Sequence, residues 1–154
     1  MTLTLTSPAF ADGQRLPDVF ARDGQNQLPP LQWSGAPEGV RSYALLVNDP
    51  DAPGGTFWHA AIYDIPPDRS ALPQGIKPGM DEAIRFGRND FGETRYDGPQ
   101  PPRGHGVHHY HFRLMALSVP NLDLPANTDA KVVSRKAEEH ALEIAEIVGT
   151  YERP

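Results

Sequence analysis

A run of apolar residues leads into a proline-rich corner in the segment Ser42-Tyr-Ala-Leu-Leu-Val-Asn-Asp-Pro-Asp-Ala-Pro53. Residues 42–48 contain β-branched and aromatic side chains and are too few for a typical helix, which favours a strand. Pro50 and Pro53 lack backbone N–H groups and fix φ, so strand pairing cannot continue far beyond Asp49. The segment therefore predicts an apolar strand that ends in a rigid corner carrying two carboxylates.

Prolines and glycines separate the other apolar runs along the chain. There are 17 prolines and 14 glycines among 154 residues. Further strands are predicted at residues 3–5, 31–33, 57–65, 84–86 and 110–117. Short strands joined by long loops are typical of a mainly β fold in one domain, which we assign to residues 1–154.

One helix is predicted near the end of the sequence. Apolar residues recur there at helical spacing, at Val133, Ala137, Ala141, Ile144 and Val148. We expect a helix within residues 130–148 that packs on the β-strands. Asn127 or Thr128 would cap its start, and Gly149 would end it.

Composition excludes several classes of function. The chain has no cysteine, so disulfides and thiolate metal sites are ruled out. Its net charge is −6 and it has no run of basic residues, which argues against binding nucleic acid or an anionic membrane. No apolar stretch is long enough to insert into a bilayer, and residues 1–8 resemble a strand more than a secretory signal. We expect a cytoplasmic protein.

Four histidines lie close together, at His105, His108, His109 and His111. Imidazole is a common metal ligand, so this cluster raises the question of a metal site. Side chains alternate along a strand, however, so His108 would face one side while His109 and His111 face the other. Four ligands on opposite faces cannot share one ion. We therefore predict no metal site and no cofactor.

Polar residues at the ends of the predicted strands suggest a different chemistry. Asp49, His59, His108 and Tyr110 together could form a receptor for a small anion, since a carboxylate can orient an imidazole while imidazole and phenol donate to an oxyanion. Taken singly, Asp49 could simply stabilise a turn and His59 could be an ordinary core histidine. Spacing alone does not establish that the two segments meet.

The sequence resembles the phosphatidylethanolamine-binding protein family, and in particular its bacterial and archaeal branch named Raf-kinase-inhibitor-like. The resemblance rests on Asp49-Pro-Asp-Ala-Pro53, the Trp58-His59 pair and Gly98-Pro-Gln-Pro-Pro-Arg-Gly104 ahead of a His-x-Tyr strand. Nearly the whole chain is covered. The fold implied is an antiparallel β-sandwich with Greek-key connections and a C-terminal helix. The implied pocket residues are Asp49, His59, His108, Tyr110 and a backbone N–H near Gln100.

One position departs from the family pattern. His109 stands where the family usually has arginine, which replaces a fixed charge by a titratable one. We expect ligand affinity to rise below about pH 6.5, where an ordinary histidine becomes charged.

The resemblance implies a binding protein rather than an enzyme. Its ligand would be a phosphate, a carboxylate or a phosphorylated headgroup, and it could regulate a kinase or a protease as a protein partner and form a homodimer. Two alternatives stay open. One is a hydrolase-like enzyme that uses Asp49, His59 and His108 as acid–base groups, and the other is an interaction protein whose pocket is vestigial.

Overall fold

The computed structural model describes residues 2–154, and most of its regular structure is β-strand. In chain order the elements are β1 (Thr4–Thr6), a 3-10 helix (Asp18–Phe20), β2 (Leu31–Ser34), β3 (Ser42–Asp49), β4 (Phe57–Ile65), β5 (Ala71–Leu72), β6 (Arg85–Phe86), β7 (His108–Leu117), α1 (Ala130–Glu138) and β8 (Ala141–Tyr151). Every predicted strand is present. Strands β5 and β8 are additional, and the two-residue length of β5 explains why no sequence pattern indicated it.

The strands form two antiparallel sheets. One has the order β1-β2-β5, and the other has the order β6-β4-β3-β7-β8. In the larger sheet β3, β4 and β6 follow one another, and β7 returns to lie beside β3. This order is a Greek key. The predicted mainly β, antiparallel sandwich is confirmed.

Strand β3 is buried on both faces, which explains its continuous apolar sequence. Tyr43, Leu45 and Val47 belong to the core shared with the smaller sheet. Ala44 and Leu46 belong to a second core, where helix α1 packs on the opposite face. A strand with two apolar faces is fixed at the centre of the protein, and so is the Asp49 corner at its end.

The predicted helix was too long. Helix α1 ends at Glu138, and the residues from Ala141 to Tyr151 form strand β8, which pairs with β7 along most of its length. The helix starts after Asp129 without a side-chain cap, so Asn127 and Thr128 do not serve as caps. Gly149 lies inside β8 and ends no helix. Pairing with β7 outweighs the helical preference of the alanines, leucine and glutamates in this segment.

Gly149 allows the N-terminal segment to pack against β8. The backbone N–H groups of Gly13 and Leu16 donate to Val148 and Thr150 carbonyls at 2.7 and 2.8 Å. A Cβ atom at residue 149 would lie 2.6 Å from two carbon atoms of the fully buried Leu16 side chain. Glycine is required here because there is no room for a side chain.

Replacing this glycine should therefore cost stability. We expect Gly149→Ala to lower the free energy of unfolding by about 1–3 kcal/mol, because Leu16 would have to leave its position. Urea denaturation monitored by tryptophan fluorescence measures the change. Gly54→Ala is the matched control, since open space surrounds that position. Equal effects of the two substitutions would contradict the packing argument.

Candidate ligand-binding site

Antiparallel pairing brings the predicted site residues to one end of the larger sheet. Strand β3 ends at Asp49, whereas its neighbours β4 and β7 begin at Phe57 and His108. Asp49 pairs with Phe57, and Asn48 pairs with His111. The end of one strand therefore lies beside the starts of the two others, although their residues are distant in sequence.

A pocket of about 180 Å³ opens at this end of the sheet. Its lining consists of Asp49, Ala52, Pro53, Phe57, His59, Phe91, Gln100, Pro101, Pro102, His108 and Tyr110. All five residues predicted from the sequence are among them. The structure thus brings the two motifs together, and their role in binding a ligand stays a prediction.

Asp49 and His108 form a buried pair. Only 3% of Asp49 and 2% of His108 are exposed. His108 Nδ1 donates to Asp49 Oδ2 at 2.6 Å, because an ionised carboxylate can only accept. The other carboxylate oxygen accepts the backbone N–H of Asp51 at 2.8 Å. Asp49 thereby fixes the orientation of the His108 ring and of the proline-rich corner together.

The second nitrogen of His108 is also occupied. His108 Nε2 lies 2.6 Å from Nδ1 of His105, an exposed residue in the loop before β7. His105 was noted in the sequence as a member of the histidine cluster, but no sequence signal indicated this contact.

His59 is held by a backbone carbonyl. Its Nδ1 lies 2.7 Å from the carbonyl oxygen of Asp97, which can only accept, so Nδ1 carries the proton. Burial lowers the pKa of His59, and the carbonyl only partly opposes this shift. His59 is therefore neutral near pH 7, and Nε2 presents a lone pair. Nε2 has no hydrogen-bond partner within residues 2–154.

The side chain of Asp97 organises the loops around His59. It is fully buried and accepts hydrogen bonds from Asn26, Asn89 and Arg95 at 2.7–3.2 Å. Burial alone would raise the pKa of Asp97, but these three donors outweigh it and hold the pKa below its usual value. No pattern in the sequence predicted this role for Asp97.

Tyr110 and Gln100 complete the polar lining. Burial, and then the charge of Asp49, raise the pKa of the Tyr110 hydroxyl, which therefore stays protonated and can donate. The Gln100 side chain faces elsewhere, accepting from Arg22 at 2.9 Å and donating to Asp23 at 2.8 Å. Its backbone N–H makes no hydrogen bond within residues 2–154. This N–H is the group that the family resemblance implied.

His109 lies outside the pocket. Its backbone N–H and its Nδ1 donate to Asp51 at 2.8 and 2.7 Å, on the exposed side of β7. The hydrogen bond from the His109 side chain lowers the pKa of Asp51. The imidazole therefore braces the loop after β3 and does not contact the ligand space. As predicted, His109 and His108 face opposite sides of the strand.

Within residues 2–154, no group of three or more histidine, aspartate or glutamate side chains is arranged to hold a metal ion.

Comparisons with known proteins agree with this fold. Residues 6–152 match the family model described as phosphatidylethanolamine-binding protein. The chain belongs to this family. A UPF0098 protein from Aquifex aeolicus is 43% identical over 96% of this chain and 86% of its own length. The crystal structure of E. coli YbcL, described as a new member of the mammalian PEBP family, has 32% identity and a TM-score of 0.95 over the full length of both chains.

Two further likenesses are to a protein named as a lipoprotein and to a protease inhibitor. A Mycobacterium tuberculosis protein named "Putative lipoprotein LppC" is 39% identical over 97% of this chain and 72% of its own. In residues 2–154 no helix has the length and apolar character needed to cross a membrane. A cytoplasmic location stays a prediction. Carboxypeptidase Y inhibitor, solved with its cognate proteinase, has a TM-score of 0.60 over 99% of this chain and 83% of its own at 21% identity, which shows a shared fold alone.

The buried Asp97 network should dominate the stability of the site. We expect Asp97→Ala to lower the free energy of unfolding by about 1–3 kcal/mol, because it leaves the buried Asn89 amide without an acceptor, whereas the exposed Arg95 can turn to water. Chemical denaturation measures the loss. Asp68→Ala is the control, since that carboxylate is exposed and only weakly paired. A loss no larger than in the control would show that the donors find other partners.

His59 should make stability depend on pH. Its pKa is lowered in the folded protein, so the unfolded chain binds a proton first as pH falls below about 6.5. The stability that neutral His59 contributes is complete above that pH, and it is lost as the pH falls toward the lowered pKa of the folded protein. Urea midpoints at pH 7.5 and 5.5 should differ less in His59→Gln than in the wild type. An identical difference would mean that other groups cause the pH dependence.

Proposed function

We propose that this protein binds a small oxyanion, a phosphate or a carboxylate group, in the pocket between Asp49, His59 and Tyr110. The observation that carries the proposal is a set of polar groups that converge on one small space. His59 Nε2 and the Gln100 N–H make no hydrogen bond within residues 2–154, and the Tyr110 hydroxyl is a protonated donor. Unpaired polar groups in a largely apolar pocket are typical of a ligand site.

Asp49 does not oppose an anion as strongly as its charge suggests. Each carboxylate oxygen already accepts a hydrogen bond, one from His108 and one from the Asp51 backbone. These donors offset the negative charge locally. Asp49 therefore serves as a positioning residue, and the ligand contacts fall to the imidazole, phenol and backbone donors.

A proton should enter the pocket with the ligand. Because Nδ1–H of His59 is committed to the Asp97 carbonyl, Nε2 can donate to an oxyanion only when the ring is charged. Binding of a fully ionised anion raises the pKa of His59, so the complex takes up a proton. A ligand that already carries a hydroxyl, such as a phosphate monoanion, can instead donate to Nε2.

The family gives independent support for an oxyanion ligand. Its name refers to phosphatidylethanolamine, whose headgroup contains a phosphate. The chemistry shared by a free phosphate, a carboxylate and such a headgroup is the oxyanion itself. Regulation of a kinase or protease, and the homodimer, stay predictions from the resemblance.

The lining favours binding over covalent catalysis. Within the described chain it contains no serine, threonine, cysteine or lysine that could act as a nucleophile beside His59 or His108. No observation at the site favours the hydrolase alternative.

Isothermal titration with phosphate, phosphoethanolamine and acetate tests the proposal. We expect at least one of these ligands to bind, with proton uptake that appears as a dependence of the heat on buffer ionisation. His59→Gln and Tyr110→Phe each remove one hydrogen bond to a charged ligand and should weaken binding about 10- to 150-fold.

His111→Gln is the matched control, since His111 lies on β7 but faces Glu146 on the other side of the sheet. It should bind as the wild type does. Absence of binding by all three ligands, or equal binding by the pocket variants and the control, would refute the proposed site.

A further inference from the structure

His108 has no free nitrogen with which to contact a ligand. Its Nδ1 donates to Asp49 at 2.6 Å, and its Nε2 lies 2.6 Å from His105 Nδ1. An imidazole has only these two polar atoms. A pocket histidine that is fully occupied by the protein can donate to an anion only after one of its partners leaves.

The two partners differ greatly in how firmly they are held. Asp49 is buried at the end of β3, and both of its oxygens are hydrogen-bonded. His105 is exposed, does not line the pocket and makes no other side-chain hydrogen bond within residues 2–154. His105 is therefore the partner that can leave.

Two glycines give the loop around His105 conformational freedom. Gly104 and Gly106 flank it with φ values of +73° and +91°, in the region that favours glycine, and neither has a neighbour within 4 Å of where a Cβ would be. Glycine passes between backbone conformations at little cost. Backbone hydrogen bonds hold this loop at Gly104 and at the His105 N–H, while residues 106–107 stay outside them.

We propose that His105 acts as a latch, which occupies Nε2 of His108 in the closed state and must swing away before His108 can donate to a bound anion. This inference rests on the proposed function, because it concerns the affinity of the same pocket. In the closed state the ligand competes with His105 for one nitrogen. In the open state Nε2 of His108 is available to the anion beside His59 and Tyr110, as a donor when the ring is charged or as an acceptor for a ligand hydroxyl.

Protonation should open the latch. Nδ1 of His108 is already bound to Asp49, so a single proton lies between His108 Nε2 and His105 Nδ1. When both rings are charged, two N–H groups would face each other at 2.6 Å, and this contact cannot persist. The exposed ring is free to turn into solvent.

Other charged and titratable groups surround this pair on every side. They are Asp49 on β3, Asp51 and His109 at the braced loop, His59 on β4, Tyr110 on β7, Tyr151 on β8, and Arg103 and Arg153 on the two segments that meet at Gly104. Because variant and wild type are compared at the same pH, the charges of these groups and the ionisation state of the ligand are the same for both. They therefore do not affect the ratio of the two affinities.

The test uses His105→Phe, which keeps an aromatic ring beside His108 but removes the nitrogen. We expect phosphate to bind about five- to tenfold more tightly to this variant than to the wild type at pH 7.5, since one competing hydrogen bond is lost. Where both rings are protonated the two N–H groups cannot stay in contact, so lowering the pH should bring the two affinities together.

His105→Ala should show the same pattern, which guards against a local effect of the larger ring. His140→Phe, the same change at a histidine remote from the pocket, should leave the affinity unaltered, and thermal unfolding checks that all variants fold. If the wild type binds phosphate but both His105 variants bind equally or more weakly at pH 7.5, His105 supports the site and the latch is refuted. If the wild type binds none of the three test anions, the proposed function itself fails.

Discussion

The fully buried carboxylate of Asp97 is the interaction on which the ligand pocket depends. A charge without solvent is costly, and here the cost is offset by donors from two segments, the loop at Asn26 and the loop that carries Asn89 and Arg95. The same residue holds β4 through its backbone, since its N–H donates to the His59 carbonyl and its own carbonyl accepts from the His59 ring. One residue therefore fixes the loops around the pocket and also decides which nitrogen of His59 the ligand meets.

The pocket combines a neutral side and an ionic side. Burial keeps His59 uncharged although its carbonyl partner opposes this shift, while Asp49 and His108 form a hydrogen-bonded pair whose hydrogen-bonding capacity is used within the protein. Such a site attracts no anion by net charge alone. Its selectivity depends on which nitrogen and oxygen atoms of the pocket side chains carry a proton. This arrangement suits a protein that recognises an oxyanion by the pattern of donors and acceptors.

The sequence predicted the strands and the pocket better than it predicted the end of the chain. Strands β3, β4 and β7 carry unambiguous apolar runs, and antiparallel pairing then brings Asp49, His59 and His108 together. Strand β8 was missed because its helix-forming residues are overruled by pairing with β7, a contact that no local pattern records. Asp97 and His105 escaped for a related reason. Asp97 sets the tautomer of His59 through its backbone carbonyl, and His105 reaches His108 through the conformation of its loop. Neither feature can be predicted from the type of residue at that position.

The contact between the N-terminal segment and β8 has a consequence for how the chain reaches its final form. Val148 donates its N–H to the side chain of Asp12, 136 positions earlier, and Gly149 accommodates Leu16. During synthesis, residues 12–16 leave the ribosome long before their partners exist. The larger sheet cannot be completed until its last strand emerges, so one edge of β7 stays unpaired until then. Closure of the sheet therefore comes at the end of synthesis, and the open edge of β7 is the part of the nascent sheet that another chain could pair with.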